Sequence, residues 1–316
     1  MNFTWFASAY DNDDALYRVL TMVIMGGALL LSAGVEQFFA RLDIGLVVAG
    51  YVIMRLALCL LWLRAAIHDP DRRVTTIRYA AGIALVQFGW VALAMLVATD
   101  SPLFVPLMLA GFVAELAVPA YAERASPTPW HRHHIIERYG LLTIIVLGEI
   151  LLAAVVALKN AWDGTFDVRL VHIALSALVI TFAMWWLYFS REDHLQSKQL
   201  RHALQWGYGH IAVFGAGAAV GAGFAVLVEI VDGRSTLPLR DGDLAVSIPL
   251  AIYLAGLWFV RDRLVLEGIA KWILLPFAVA IAFVPFVFPA LEVIAGLMVA
   301  AVATRIAVQK TNRASG

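Results

Sequence analysis

The chain alternates between long apolar segments and short polar ones along its whole length. The apolar runs are about 18–23 residues long, which matches the ~20 residues that an α-helix needs to cross a ~30 Å hydrocarbon core. Short clusters of charged residues separate these runs. The pattern predicts ten transmembrane helices, at residues 17–39, 44–66, 77–98, 102–121, 134–158, 168–190, 204–229, 244–264, 270–287 and 290–307.

The last two predicted helices share one apolar stretch. A single helix of about 35 residues is too long for one crossing, and proline disfavours a helix interior, so we divide the stretch at Phe288-Pro289. The longest polar stretches, at 67–76, 122–138 and 230–243, are too short to bury a core of their own. The expected fold class is therefore an all-α polytopic transmembrane bundle of about ten spans, without a soluble domain.

Composition agrees with this fold class. Apolar residues make up 62% of the 316 residues and charged residues 15%, against roughly 25% charged in a soluble domain. The formal net charge of zero argues against a nucleic-acid partner, and the single cysteine, Cys59, excludes an intrachain disulfide. The expected surroundings are the lipid bilayer of the cell membrane.

Lysine and arginine are distributed unequally between the two ends of the predicted helices. Cytoplasmic loops carry an excess of these residues, so the richer side is expected to be cytoplasmic. Both termini and the cluster 131–138 fall on that side. The richer side holds Arg18, Arg64, Arg72, Arg73, Arg78, Arg124, Arg132, Arg138, Arg191, Lys198, Arg201, Arg261, Arg263, Lys271, Arg305, Lys310 and Arg313, and the other holds Arg41, Lys159, Arg169, Arg234 and Arg240.

Glu149 is the strongest candidate for a functional residue because it lies well inside the predicted helix 134–158. An ionisable group at such a depth costs about 2.5–3.5 kcal/mol on insertion scales and usually faces a bundle interior or an aqueous cavity. Arg138 lies eleven residues earlier, on the same helix face and roughly 16 Å away along the axis. His134 neighbours both Glu137 and Arg138 on the helix surface. The stripe predicts a proton or cation path, and the alternative is a structural ion pair between helices.

Few other ionisable residues fall within predicted spans and could meet Glu149. Arg55, in the middle of the second span, is the natural counter-ion, because its guanidinium cannot lose its proton and must pair with an acid or bind an anion. The other candidates are Glu36, Glu115, His210 and Glu292.

Two further features have structural alternatives. His131, His133, His134 and Glu137 could hold zinc, but their spacing is nonspecific, and juxtamembrane basic residues facing anionic lipid explain them as well. The helix 204–229 is rich in glycine, which predicts close helix packing, or a substrate path with Tyr208 and His210 as gate residues. No phosphate-binding loop, nucleophile elbow or cysteine cluster is present, so no enzyme class, cofactor or bound metal is predicted.

An internal duplication is expected from two similar segments. Trp5-Phe6 followed by Asp11, Asp13 and Asp14 parallels Trp185-Trp186-Leu187-Tyr188-Phe189 followed by Glu192 and Asp193, and each leads into a glycine-containing apolar helix. The expected organisation is a first repeat at 1–130, lacking its two opening helices, and a second six-helix repeat at 131–316. Because six is even, the repeats would run parallel.

The same segments resemble a known family, the bacterial low temperature requirement A (LtrA) proteins. The resemblance covers nearly the whole chain, and it implies a multi-pass membrane protein without naming a chemistry. Members usually begin with an extra helix carrying a Glu-Leu-Phe-Phe-Asp-Leu type motif, and this sequence starts downstream of it. The matching segments are His134-Ile-Ile-Glu137-Arg138-Tyr-Gly140-Leu-Leu-Thr-Ile-Ile-Val-Leu-Gly148-Glu149, Trp185-Trp186-Leu187-Tyr188-Phe189, Tyr208-Gly-His210 and Trp5-Phe6-Ala-Ser-Ala-Tyr-Asp11-Asn-Asp13-Asp14.

These observations favour a transporter or channel-like protein for a proton, a small ion or a small solute. Glu149 would be its central group, with His134, Glu137 and Arg138 at a cytoplasmic mouth. The alternative is a membrane enzyme or lipid-headgroup-binding factor that uses the cytoplasmic cluster, or a structural or regulatory membrane subunit. The expected partners are the bilayer and a small ion or solute, and an oligomer is compatible with either function.

Overall fold

The computed structural model describes residues 2–162, 167–190, 199–287 and 291–314. These residues form helices and connecting segments, and none of the described residues lies in a β-strand. The helices are α1 (Asn2–Tyr10), α2 (Ala15–Arg41), α3 (Gly45–His68), α4 (Arg73–Leu96), α5 (Phe104–Ala122), α6 (Arg132–Trp162), α7 (Val168–Phe189), α8 (Leu200–Val231), α9 (Leu239–Leu257), α10 (Arg263–Val265), α11 (Leu274–Val287) and α12 (Leu291–Ala314).

The predicted all-α transmembrane bundle is confirmed. Within the described ranges, ten helical segments are long and apolar enough to cross a membrane, and each overlaps one predicted span. Large apolar side chains on these segments point outward, such as Phe88 at 80% and Leu96 at 81% exposure. An outer surface of this kind is stable in lipid, where apolar side chains need no burial within the protein.

Helix ends differ from the prediction by a few residues because polar residues at span ends continue the helical hydrogen bonding. One helix, α1, was not predicted, because nine residues are too few to show a membrane-length apolar run. It is followed by Asp14, whose side chain caps α2 by accepting from the Tyr17 amide. The predicted break at Phe288-Pro289 lies outside the described residues; α11 ends before it and α12 begins after it.

The chain divides into two compact units, unit 1 at 1–135 and unit 2 at 136–316. In unit 1, α2 packs on α3, α3 on α4 and α4 on α5. The α2–α3 seam is close because Gly50 faces Gly27, and a Cβ at Gly50 would overlap the backbone of α2. At the other end of α3, Trp62 is fully buried and stacks on Tyr79 with ring centroids 4.0 Å apart.

In unit 2, α8 packs on α9, α9 on α11 and α7 on α12. The α8–α9 seam contains Gly223, where a Cβ would overlap the carbonyl of Ala245. A π-helical turn, Trp258–Asp262, follows α9 and leads into α10. The acidic half of the segment expected to repeat, at Glu192 and Asp193, lies outside the described residues, as do Arg191 and Lys198, so the duplication stays a prediction.

Candidate functional site

Glu149 lies on the outward face of α6. Its side chain is exposed, and its neighbours one turn away, Ile145 and Leu152, are exposed by 66% and 59%. The base of the side chain packs against α8, where a Cβ at Gly221 would lie 3.3 Å from the Glu149 Cβ. Among the residues that the structure describes, no side chain forms a hydrogen bond or ion pair with Glu149. The carboxyl group therefore points away from the rest of unit 2 within an apolar span.

The predicted cytoplasmic mouth lies in the first turns of α6. His134 and Glu137 are exposed, and Arg138 is half-buried. The His131 and His134 rings lie 5.6 Å apart. No described group of three or more His, Cys, Asp or Glu side chains has an arrangement that could hold a metal ion.

His210 belongs to an aromatic core and is fully buried on α8. Its Nδ1 lies 2.8 Å from the Trp206 carbonyl oxygen and its Nε2 lies 3.2 Å from the Tyr188 hydroxyl. The rings of Tyr139 and Trp206 lie 5.0 and 4.1 Å from the imidazole. Both ring nitrogens are thus occupied by polar partners inside unit 2. Tyr208, the other predicted gate residue, is half-buried two positions earlier.

The carboxylate partner expected for Arg55 is Glu115 of α5, in unit 1. Both are buried, at 4% and 7% exposure, and their side chains form an ion pair. Glu115 Oε1 also accepts from Gln87 Nε2 at 2.8 Å and from Trp90 Nε1 at 3.3 Å. The Arg55 guanidinium lies 5.5 Å from the Tyr51 ring centroid. Arg55 and Glu115 therefore neutralise each other, whereas the sequence alone suggested Glu149 as the acid. Glu36 is exposed on α2.

A second buried ionic cluster, in unit 2, was not predicted. Asp262 Oδ1 accepts from Arg305 Nη2 and from Arg261 Nε, each at 2.7 Å. Its Oδ2 accepts from Arg305 Nη1. Arg261 also donates to the carbonyl oxygens of Leu187 and Tyr188 at the end of α7. The three ionised side chains are 0–2% exposed. Both arginines were assigned to cytoplasmic span ends, and the π-helical turn instead carries Arg261 and Asp262 into the core.

Glu123, after α5, is another buried acid that the sequence analysis missed. Its Oε1 accepts from Trp5 Nε1 at 2.9 Å, from the Tyr79 hydroxyl at 2.9 Å and from the Thr128 hydroxyl at 2.7 Å. Its Oε2 accepts from the Thr128 amide at 2.8 Å. These bonds fix α1 and the 123–128 segment to α4. The signal available in the sequence was the tryptophan of the Trp5-Phe6 segment, which needs a buried acceptor for its N–H.

Polar contacts also join the ends of helices outside the spans of unit 1. The Tyr10 hydroxyl donates to Asp69 at 3.0 Å, and Asp69 accepts from the Arg72 amide and guanidinium. Burial raises the pKa of Asp69, but these hydrogen bonds outweigh it and leave the pKa below its usual value. Burial, reinforced by Asp69, raises the pKa of Tyr10 above its usual range.

A cavity of about 230 Å³ lies in unit 2 between α7, α8, α9 and α12. His172 and Glu292 pair at its exposed side, with 3.1 Å between Nδ1 and Oε1. Asp243 lies on its inner wall and is only 2% exposed. Asp243 was expected in a connecting loop, and the structure places it instead in the second turn of α9.

Comparison with known proteins gives one family. A sequence model described as bacterial low temperature requirement A protein (LtrA) matches residues 1–308. No curated protein and no solved structure matches the chain.

Proposed function

Since the chain belongs to the bacterial low temperature requirement A (LtrA) family and has ten candidate membrane spans among its described residues, we propose that it moves a proton or small cation across the cell membrane. Glu149 would be the group that binds the moving charge, and both termini would be cytoplasmic. The observation that carries this proposal is an exposed carboxyl group inside an apolar span, without a counter-charge among the described residues.

The energetic argument concerns the two states of that carboxyl group. An ionised carboxylate inside the bilayer costs about 2.5–3.5 kcal/mol on insertion scales. Protonation or cation binding removes the net charge, so Glu149 is most stable in the loaded state when it faces lipid. It can release its load only where water or a partner compensates the charge. A group with these properties alternates between a loaded and an unloaded form, as a carrier of protons or cations requires.

The location of Glu149 also determines where the path would run. The side chain is on the outward face of α6, so the path would follow that face and not the interior of unit 2. Small residues leave room there: Gly148 has open space where a Cβ would be, and Gly221 lies beside the Glu149 backbone. His134, 15 positions earlier, is roughly 22 Å away along the helix axis. Water or a helix movement must therefore connect Glu149 with the predicted mouth.

Proton flux into liposomes that contain the purified chain tests the proposal. An imposed pH gradient and an internal pH-sensitive dye would report flux with and without K⁺ or Na⁺ gradients. We expect Glu149→Gln to lower the flux at least tenfold, and Glu149→Asp to retain part of it, because only aspartate keeps an ionisable oxygen. Glu229→Gln, at an exposed acid near the end of α8, is the matched control and should leave flux unchanged. Equal flux in Glu149→Gln and the native chain would reject the proposal.

The competing function is binding of a lipid headgroup at the start of α6. The exposure of His131, His133 and His134 is the observation that favours it. In that case, anionic lipid retained by the purified protein in native mass spectrometry should fall on His134→Ala but not on Glu149→Gln. Flux would be absent in all variants.

A further inference from the structure

Asp243 is a buried acid without a counter-charge. It is 2% exposed, and its Oδ2 is fully enclosed without a hydrogen-bond partner. An unpaired buried carboxylate is costly unless it is protonated or bound to a cation. The Asp243 carboxylate on the cavity wall therefore lacks a compensating cation.

The charged groups around Asp243 are engaged elsewhere. On α7, Arg169 binds Asp167 with 2.7 Å between Nη2 and Oδ2, and His172 pairs with Glu292 of α12. On α9 itself, the guanidinium of Arg240 lies 4.9 Å from the Phe286 ring centroid, and Asp241 is exposed. The electrostatic environment consequently favours a positively charged occupant.

The walls of the cavity are mainly apolar. It is lined by aliphatic side chains of α7, α8, α9 and α12: Ile173, Leu227, Ile230, Val231, Leu239 and Leu291. A metal ion would need several oxygen or nitrogen ligands, and no described group of His, Cys, Asp or Glu supplies three. An organic cation needs only one carboxylate and apolar contacts. The volume of about 230 Å³ is below the ~300–1,000 Å³ of sites for drug-sized ligands, which limits the occupant to a few carbon atoms.

From these observations we infer that the cavity binds a small alkylammonium ion, with the ammonium group on Asp243 and the alkyl chain against the aliphatic walls. The ammonium group would supply the positive charge that the Asp243 carboxylate lacks. The exposed His172–Glu292 pair would form the rim. This site is separate from Glu149 and does not depend on the proposed transport.

Calorimetric titration of the full chain in lipid nanodiscs with n-butylammonium chloride tests the inference, with empty nanodiscs subtracted. At pH 7 the amine is fully charged, as lysine is. We expect saturable binding of n-butylammonium and no binding of 1-butanol, which has a similar size without the charge. Asp243→Asn should weaken binding at least tenfold. Asp241→Asn, which removes an exposed acid two residues away, should change the dissociation constant less than twofold.

Two outcomes would overturn the inference. Equal affinity for n-butylammonium and 1-butanol would mean that the cavity is merely apolar, and unchanged affinity in Asp243→Asn would place the ligand elsewhere. If Asp243→Asn does not fold, Val231→Phe provides the second variant, because it fills the cavity from its half-buried edge and should abolish binding. The measurement is made at equilibrium without a gradient, so its failure is distinct from a failure of the flux test.

Discussion

Breaking the Arg55–Glu115 pair from its two sides should have unequal effects on the stability of unit 1. Glu115→Gln keeps an oxygen for Gln87 and Trp90 but turns an amide donor toward Arg55, which cannot lose its proton. A buried guanidinium without its carboxylate should cost about 3–5 kcal/mol of unfolding free energy. Arg55→Met leaves a carboxyl group that retains both other donors and can take up a proton. Its cost should be smaller, about 1–3 kcal/mol.

The double variant distinguishes this explanation from simple loss of packing. In Arg55→Met with Glu115→Gln, no charge remains buried, and the new amide can donate to Gln87 Oε1, which lacks a partner in the native structure. The double variant should be at least about 2 kcal/mol more stable than Glu115→Gln alone. Tryptophan fluorescence during unfolding of the protein in mixed micelles by increasing SDS would give the three free energies.

An exposed ion pair provides the control for this cycle. Arg18 and Asp13 are 63% and 70% exposed, and Arg18→Gln should leave unfolding unchanged because solvent screens the pair. Additive effects of the two core substitutions, within about 0.5 kcal/mol, would refute the reasoning. So would a larger loss for Arg55→Met than for Glu115→Gln.

Three further predictions concern unit 1 and use the same unfolding assay. Gly50→Ala should lower the unfolding free energy by about 1–3 kcal/mol because its Cβ would overlap the α2 backbone. Gly26→Ala has open space at its Cβ and should raise the unfolding free energy by up to about 1 kcal/mol. Equal effects of the two substitutions would disprove the close packing of α2 on α3. Because the folded-state pKa of Asp69 is lowered, the stability that its ionised form contributes should be complete above its unfolded pKa of ~3.9 and lost as the pH falls through the folded value. Asp69→Asn should remove this part of the fall in unfolding free energy at acid pH. An unchanged acid dependence in Asp69→Asn would contradict a stabilising role of the Asp69 carboxylate. Glu123→Gln should lower the unfolding free energy by about 1–3 kcal/mol because its amide nitrogen cannot accept from the Thr128 amide. An unchanged unfolding free energy would mean that this hydrogen bond does not stabilise the 123–128 segment.

The ten spans could be predicted because hydropathy reports directly on the solvent of each segment. A run of apolar residues long enough to cross the bilayer has few other stable environments. The same property hides which side of a helix faces inward, because lipid and protein interior are both apolar. Glu149 illustrates this limit: its depth followed from the sequence, but its outward direction did not.

Partner choice was the second part that the sequence could not supply. Arg55 and Glu115 are 60 residues apart and meet only through the packing of α3 against α4 and α4 against α5. Arg261 was assigned to a span end because it follows an apolar run, and a π-helical turn that the sequence does not reveal carries it into the core. Asp243 was assigned to a loop because the polar stretch before it continues into the first turns of α9.

The sharing of Asp262 by Arg261 and Arg305 restricts the order in which these positions can change during evolution. If Arg305 is lost first, one cation remains on one anion, and the pair stays neutral. If Asp262 is lost first, two buried guanidinium groups remain without a carboxylate, a state with a severe loss of stability. A lineage that replaces this cluster with apolar residues must therefore lose an arginine before the aspartate. Ancestral reconstructions should contain chains with Asp262 and a single arginine, and none with both arginines and an apolar residue at position 262.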